Sequence, residues 1–181
     1  MEAFESADST GLRFHTTQEL GGWALSLHRT VRLAGRTVRV ETTLTNTGTR
    51  RIPIVWHPHP FYPYPSGDAL FTTNLQLELQ QSSIDGAYAI DGAGFVRRNL
   101  SDPQMGFLGH DPASDRPVRI YQHHPVVGMV TARASYIPSF FPVWGNAHTF
   151  SWEPYYERTV QMGIDEVWSI EYHFGEDAAR L

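Results

Sequence analysis

Two short stretches bring together residue types suited to moving protons. His57-Pro58-His59-Pro60-Phe61-Tyr62 places two imidazoles among prolines, and Ser151-Trp152-Glu153-Pro154-Tyr155 sets one carboxylate between a tryptophan and a proline. A histidine and a carboxylate from distant parts of a chain are the smallest set that can take a proton from one oxygen of a bound molecule and return one to another.

The histidine–proline stretch must be extended to work as a unit. A residue before proline is pushed out of the helical region, and residues i and i+2 of an extended chain point the same way. His57 and His59 are therefore expected on one face. The prolines remove two backbone donors, which rules out a central strand. The stretch reads as the rigid end of a strand over Ile52–Trp56, with Phe61, Tyr62 and Tyr64 walling the space that the histidines face.

Three readings of these histidines stand side by side. One is a proline-stiffened loop with structural histidines. A second is a metal site, because His-X-His with a distant carboxylate is a familiar ligand set. No glutamate follows at short spacing, so no metal is expected. The third is proton transfer on a bound molecule. For Glu153 the competing reading is a strand-end carboxylate paired with Arg158. Trp144 and Trp152 suit a core more than a ligand face, since tryptophan gains most by burial.

The elements that must position these groups are strands. Val38, Val40, Thr42 and Leu44 alternate with Thr37, Arg39, Glu41 and Thr43, and Trp168, Ile170, Tyr172 and Phe174 with Val167, Ser169, Glu171 and His173. Trp23, Leu25 and Leu27, and again Leu75, Leu77 and Leu79, repeat the pattern of a strand with one buried face. Turn signals punctuate these runs at Asn46-Thr47-Gly48, Ser66-Gly67-Asp68, Asp85-Gly86, Asp91-Gly92 and Gly145-Asn146. The expectation is an all-β, antiparallel β-sandwich of roughly eight to eleven strands. It forms a single domain over 1–181, with an irregular N-terminal segment at 1–21 and a frayed tail at 175–181.

Composition excludes several chemistries. Cysteine is absent, which removes disulfides, thiolate nucleophiles and cysteine-based zinc sites. All 14 basic side chains are arginine, so no Schiff base and no phosphate-loop lysine can come from this chain. A net charge of -5 argues against a nucleic-acid partner. No apolar run approaches a membrane span, and a cytoplasmic setting is expected.

The order and register of the motifs resemble the aldose 1-epimerase (galactose mutarotase-like) family. Leu44-Thr45-Asn46-Thr47-Gly48, Ile52-Pro53 and then His59-Pro60-Phe61-Tyr62 are similar to that family's Asn-Thr-Gly turn, Leu-Pro step and His-Pro-Tyr-Phe motif. Phe141-Pro142-Val143-Trp144, Gly145-Asn146 and Phe150-Ser151-Trp152-Glu153-Pro154 resemble its penultimate strands. Met162-Gly163-Ile164-Asp165-Glu166-Val167-Trp168 with Tyr172-His173-Phe174 resembles its closing strand.

That resemblance implies a shortened supersandwich fold and interconversion of the α and β anomers of a hexose or related sugar, without metal or organic cofactor. Glu153 would be the base and His59 the partner that orients the sugar or supplies a proton. His57, Asp102, Trp144 and Tyr155 would contact substrate, a monosaccharide or sugar derivative. The chain departs from the family where a histidine accompanies an aspartate, since Asn99-Leu100-Ser101-Asp102-Pro103 has the aspartate alone. A non-catalytic sugar-binding or regulatory module on the same fold is the alternative. The chain also reaches the Asn-Thr-Gly turn by residue 48, earlier than the family does. Either the form is a naturally short or truncated one, or a partner chain completes its sheets. In both cases open strand edges prone to pair, and so a homo-oligomer, are the expectation.

Overall fold

The computed structural model describes residues 1–82, 87–92, 94–97, 104–110 and 116–175, with only backbone described at 81–82, 104–105 and 107–110. Seventeen strands and no helix occur among them. In chain order they are β1 (Glu2–Glu5), β2 (Thr10–Leu20), β3 (Trp23–Ala34), β4 (Thr37–Asn46), β5 (Ile52–Trp56) and β6 (Tyr62–Pro63). There follow β7 (Ala69–Thr73), β8 (Leu77–Ser82), β9 (Tyr88–Asp91), β10 (Gly94–Arg97), β11 (Gln104–His110) and β12 (Arg119–His124). The last are β13 (Gly128–Ala134), β14 (Phe141–Gly145), β15 (Thr149–Trp152), β16 (Tyr156–Val160) and β17 (Asp165–Phe174).

Ten strands form one antiparallel sheet in the order β1-β2-β3-β4-β17-β13-β12-β7-β10-β9. Five form a second, β6-β15-β14-β11-β8, and β16 pairs with β5 in a two-stranded ribbon. The alternating runs set which face is inside. Thr42 and Leu44 on β4 lie in register with Trp168 and Glu166 on β17, and Thr42, Leu44, Trp168 and Ile170 are buried. Against this face pack the smaller sheet and the ribbon. Phe71 stacks on Phe141 at 6.0 Å, Trp152 on Tyr172 at 6.1 Å and Tyr156 on Trp168 at 5.3 Å. Trp152 is fully buried and donates from Nε1 to Gln122 Oε1 at 2.8 Å, a polar contact bridging the two sheets. Each such fully buried large side chain contributes about 1.5–3 kcal/mol relative to exposure.

Two expectations need correction. The strands outnumber the expected eight to eleven, because several have only two to four residues, too few for alternation to reveal. The segment 1–21 is regular rather than irregular, since β1 and β2 occupy it. Its hairpin is set by Gly21 and Gly22, which hold φ of 57° and 90° between the paired Leu20 and Trp23. Two successive positive φ values are what a tight turn matched to strand twist requires, and glycine supplies them without strain. The tail beyond 175 lies outside the described residues. No helix among the described residues is long and apolar enough to cross a membrane.

Candidate active site

The ribbon builds the site. β5 and β16 are antiparallel, with Ile52 opposite Val160 and Trp56 opposite Tyr156. Carried past the end of the ladder, that register sets His57 opposite Tyr155, Pro58 opposite Pro154 and His59 opposite Glu153. Pro58 and Pro154 carry no N–H, so hydrogen-bonded pairing stops there and the side chains are left to face one another. The side chains follow the register. His57 stacks on Tyr155 with ring centroids 4.2 Å apart and planes 10° from parallel. His59 Nε2 lies 3.0 Å from Glu153 Oε1, and His57 Nε2 lies 3.7 Å from Glu153 Oε2.

The base of the ribbon is pinned by Asn46, which is fully buried. Its Nδ2 donates to Arg50 O at 2.7 Å, just before β5, and to Val160 O at 3.0 Å, the last residue of β16. Its Oδ1 accepts from Gly48 N at 3.1 Å, which closes the Asn-Thr-Gly turn. At the far end the Glu153 backbone N–H donates to Pro142 O at 3.0 Å and ties the carboxylate's segment to β14.

Glu153 is buried, at 4% exposure, whereas the His59 side chain is 41% exposed and that of His57 29%. A carboxylate at the floor of the site is thus capped by two imidazoles that solvent can reach. Burial pushes the Glu153 carboxyl above the usual carboxylate range, and neighbouring His59 opposes that shift. Burial, then proximity to His59, holds His57 below the ordinary imidazole value. Arg158, the alternative partner for Glu153, instead lies over the Tyr156 ring at 4.7 Å and donates to Glu157 O at 2.7 Å.

Aromatic rings extend outward from these three side chains. Phe61 lies 4.5 Å from the His59 ring and meets Trp144 edge-on at 5.9 Å. Trp144 is half-buried and reaches the site through Phe61. Phe61 stands 59% exposed, whereas Tyr62 is buried on Trp152 and Tyr64 stacks on Phe150. Phe140, unforeseen from sequence, lies 5.4 Å from Tyr155 and is 37% exposed. Its signal was the pair Phe140-Phe141 at the start of a strand. Period two sends Phe141 into the core at 0% exposure and its neighbour outward. Asp102 lies outside the described residues. His124 is spent on a turn, its Nδ1 accepting from Val126 N and Val127 N.

No protein-family model and no curated protein matches the sequence. Solved structures do match. A putative aldose 1-epimerase from Klebsiella pneumoniae superposes with a TM-score of 0.69 over 98% of this chain and 54% of its own, at 10% identity. A putative aldose 1-epimerase from Escherichia coli K12 gives 0.64 over 96% of this chain and 67% of its own, at 13% identity. The chain has the galactose mutarotase-like fold. A galactose mutarotase-like protein from Lactobacillus casei aligns over 96% of this chain and 72% of its own, at 13% identity and a TM-score of 0.63. The chain therefore spans 54% to 72% of the length of these three neighbours. On this mutarotase-like fold, His57, His59 and Glu153 converge at one end of the β5–β16 ribbon.

Proposed function

We propose that this chain is an aldose 1-epimerase that interconverts the α and β anomers of a hexose or related sugar. One observation carries the reading: a buried carboxylate from one segment lies in direct contact with imidazoles from another. The reaction needs this pairing. In the ring-opening step Glu153 takes the proton of the anomeric hydroxyl while the bond from the anomeric carbon to the ring oxygen breaks. His59, protonated, gives the ring oxygen its proton. The open aldehyde turns about its first carbon–carbon bond, and the reverse transfers close the ring on the other face. Both oxygens sit on one carbon, so acid and base must reach the same small region. The exposed face of Phe61, with Tyr155 and Phe140, offers apolar surface to a sugar ring.

The test is anomer exchange followed by NMR or polarimetry on neutral and phosphorylated aldoses. Wild type is expected to exceed the uncatalysed rate, and Glu153→Gln to lose about 10²–10⁴-fold, the usual worth of a general acid or base. Equal rates for wild type, Glu153→Gln and buffer across that panel would sink the proposal. A second reading, a sugar-binding module without turnover, draws support from the exposed Phe61 and Phe140 rings. It is distinguished by saturation-transfer signals from a sugar whose anomers do not exchange.

A further inference from the structure

We infer that His57, His59 and Glu153 form a binding site for one divalent transition ion of the zinc class. The objection available from sequence was the lack of a carboxylate at short spacing. The β5–β16 register removes it by bringing Glu153 across from a distant part of the chain. One donor atom from each residue lies within 4.8 Å of the other two.

The spacing fits the ion. Zinc binds imidazole nitrogen and carboxylate oxygen at about 2.0–2.1 Å in tetrahedral geometry, which places ligand atoms about 3.3 Å from one another. His59 Nε2 lies 3.0 Å from Glu153 Oε1 and His57 Nε2 lies 3.7 Å from Oε2, so each imidazole stands near that spacing from one oxygen of the carboxylate. The donor set, two imidazoles and one carboxylate, is the one that borderline-soft ions take, with calcium and magnesium disfavoured for want of oxygen ligands.

The surroundings hold the donors in place. Tyr155 stacked on His57 and Phe61 against His59 restrain both rings, and the alternating prolines stiffen their backbone. Arg158 is turned to Tyr156, so a divalent ion would supply the buried carboxylate with a counter-charge that this arginine does not. Three protein donors leave a fourth position to water, and the exposed edges of the imidazoles give the ion a way in. An ion held there engages the lone pairs that proton transfer needs, so metal binding and epimerisation exclude each other. The site itself rests on the donors alone and stands whether or not the chain turns sugars over.

Cobalt(II) titration of the full chain, without sugar, tests it. Tetrahedral cobalt absorbs in the visible, and zinc should displace it. One cobalt per chain is expected, with affinity lost in His57→Ala, His59→Ala and Glu153→Gln by at least about tenfold each, because even outer-shell partners of a metal are worth 10–100-fold. Near-ultraviolet circular dichroism of the buried tryptophans reports whether each variant is folded. His123→Ala/His124→Ala serves as a control for surface histidines and should bind as wild type does. Absence of tetrahedral cobalt at millimolar metal overturns the inference. So does binding that survives His57→Ala/His59→Ala and disappears in the His123→Ala/His124→Ala control.

Discussion

Replacing Asn46 should loosen the ribbon that carries the site, and the order of severity among substitutions follows from the direction of its hydrogen bonds. The side chain makes three: two donated to Arg50 O and Val160 O, and one accepted from Gly48 N. Asn46→Ala removes all three at about 1 kcal/mol each net, for a total of about 3 kcal/mol. That corresponds to a fall in Tm of about 6–12 °C for a chain of this size. Asn46→Asp keeps the acceptor for Gly48 N, yet it should cost more. It loses both donors and turns a carboxylate toward two carbonyl oxygens at a position with 0% exposure. An unpaired buried carboxyl is raised by up to about 3–5 pH units. A rise from about 3.9 to about 7 adds about 4 kcal/mol at neutral pH, at 1.36 kcal/mol per unit.

The sign of the pH effect separates the two variants. The new carboxyl is raised in the folded state, so its penalty is complete above the folded value and disappears as pH falls toward the unfolded value. Between about pH 7 and pH 4 the Asn46→Asp deficit should shrink by about 1.4 kcal/mol per unit, while the gap between Asn46→Ala and wild type stays flat over the same range. Urea unfolding at pH 7.5, 6 and 5, followed by tryptophan fluorescence, reads both quantities. If Asn46→Ala costs more than Asn46→Asp at pH 7.5, or the aspartate deficit ignores pH, the hydrogen-bond account of this turn is wrong.

Other expectations are briefer. Gly48→Ala would drive a Cβ to 2.5 Å from Ala24 N and 2.8 Å from Gly22 O. Backbone on both sides cannot yield cheaply, so a loss of about 1–3 kcal/mol in chemical unfolding is expected. Gln122→Met should cost about 1–3 kcal/mol by orphaning the buried Trp152 N–H, a loss visible as a lower urea midpoint. The alkaline limb of stability should be steep. Burial raises the phenols of Tyr62, Tyr136 and Tyr172 well above the ordinary value and pushes Tyr156 up to about 12. Raised folded-state values keep stability intact below about pH 10 and remove about 1.4 kcal/mol per unit per tyrosine above it. Melting curves from pH 8 to 11.5 should show this, with Tyr62→Phe shallower by one tyrosine's share.

Much of this architecture could be read locally. The runs around Val40, Leu77 and Ile170 are strands with the expected face inward, because period-two alternation needs only neighbours to be recognised. The N-terminal hairpin escaped for a related reason. Thr10–Leu20 is mostly exposed on both faces, so burial left no alternation to find, and only Gly21-Gly22 marked the turn. The site was half legible. His57 and His59 share a face because their prolines force extension, a local effect. That both rings reach Glu153, that Tyr155 stacks on His57, and that Phe140 joins the rim depend on pairing between β5 and β16, which composition does not encode.

That pairing is also the point at which the site is most exposed to error. Side chains on a strand alternate with a period of two, so a slip of one residue between β5 and β16 would set His59 opposite Pro154 and turn one partner's side chains to the other face. Three features oppose the slip. Ile52, Ile54, Tyr156 and Val160 are buried on the ribbon's inner face and would be expelled. Asn46 grips Arg50 and Val160 at one end, fixing the two strands to a common origin. At the other end Pro58 and Pro154 cannot extend the ladder, so no alternative hydrogen bond rewards displacement. The prolines that frame the two motifs thus act on register as well as on rigidity, and a proline-to-alanine change at either should disturb the imidazole–carboxylate contact before it disturbs the fold.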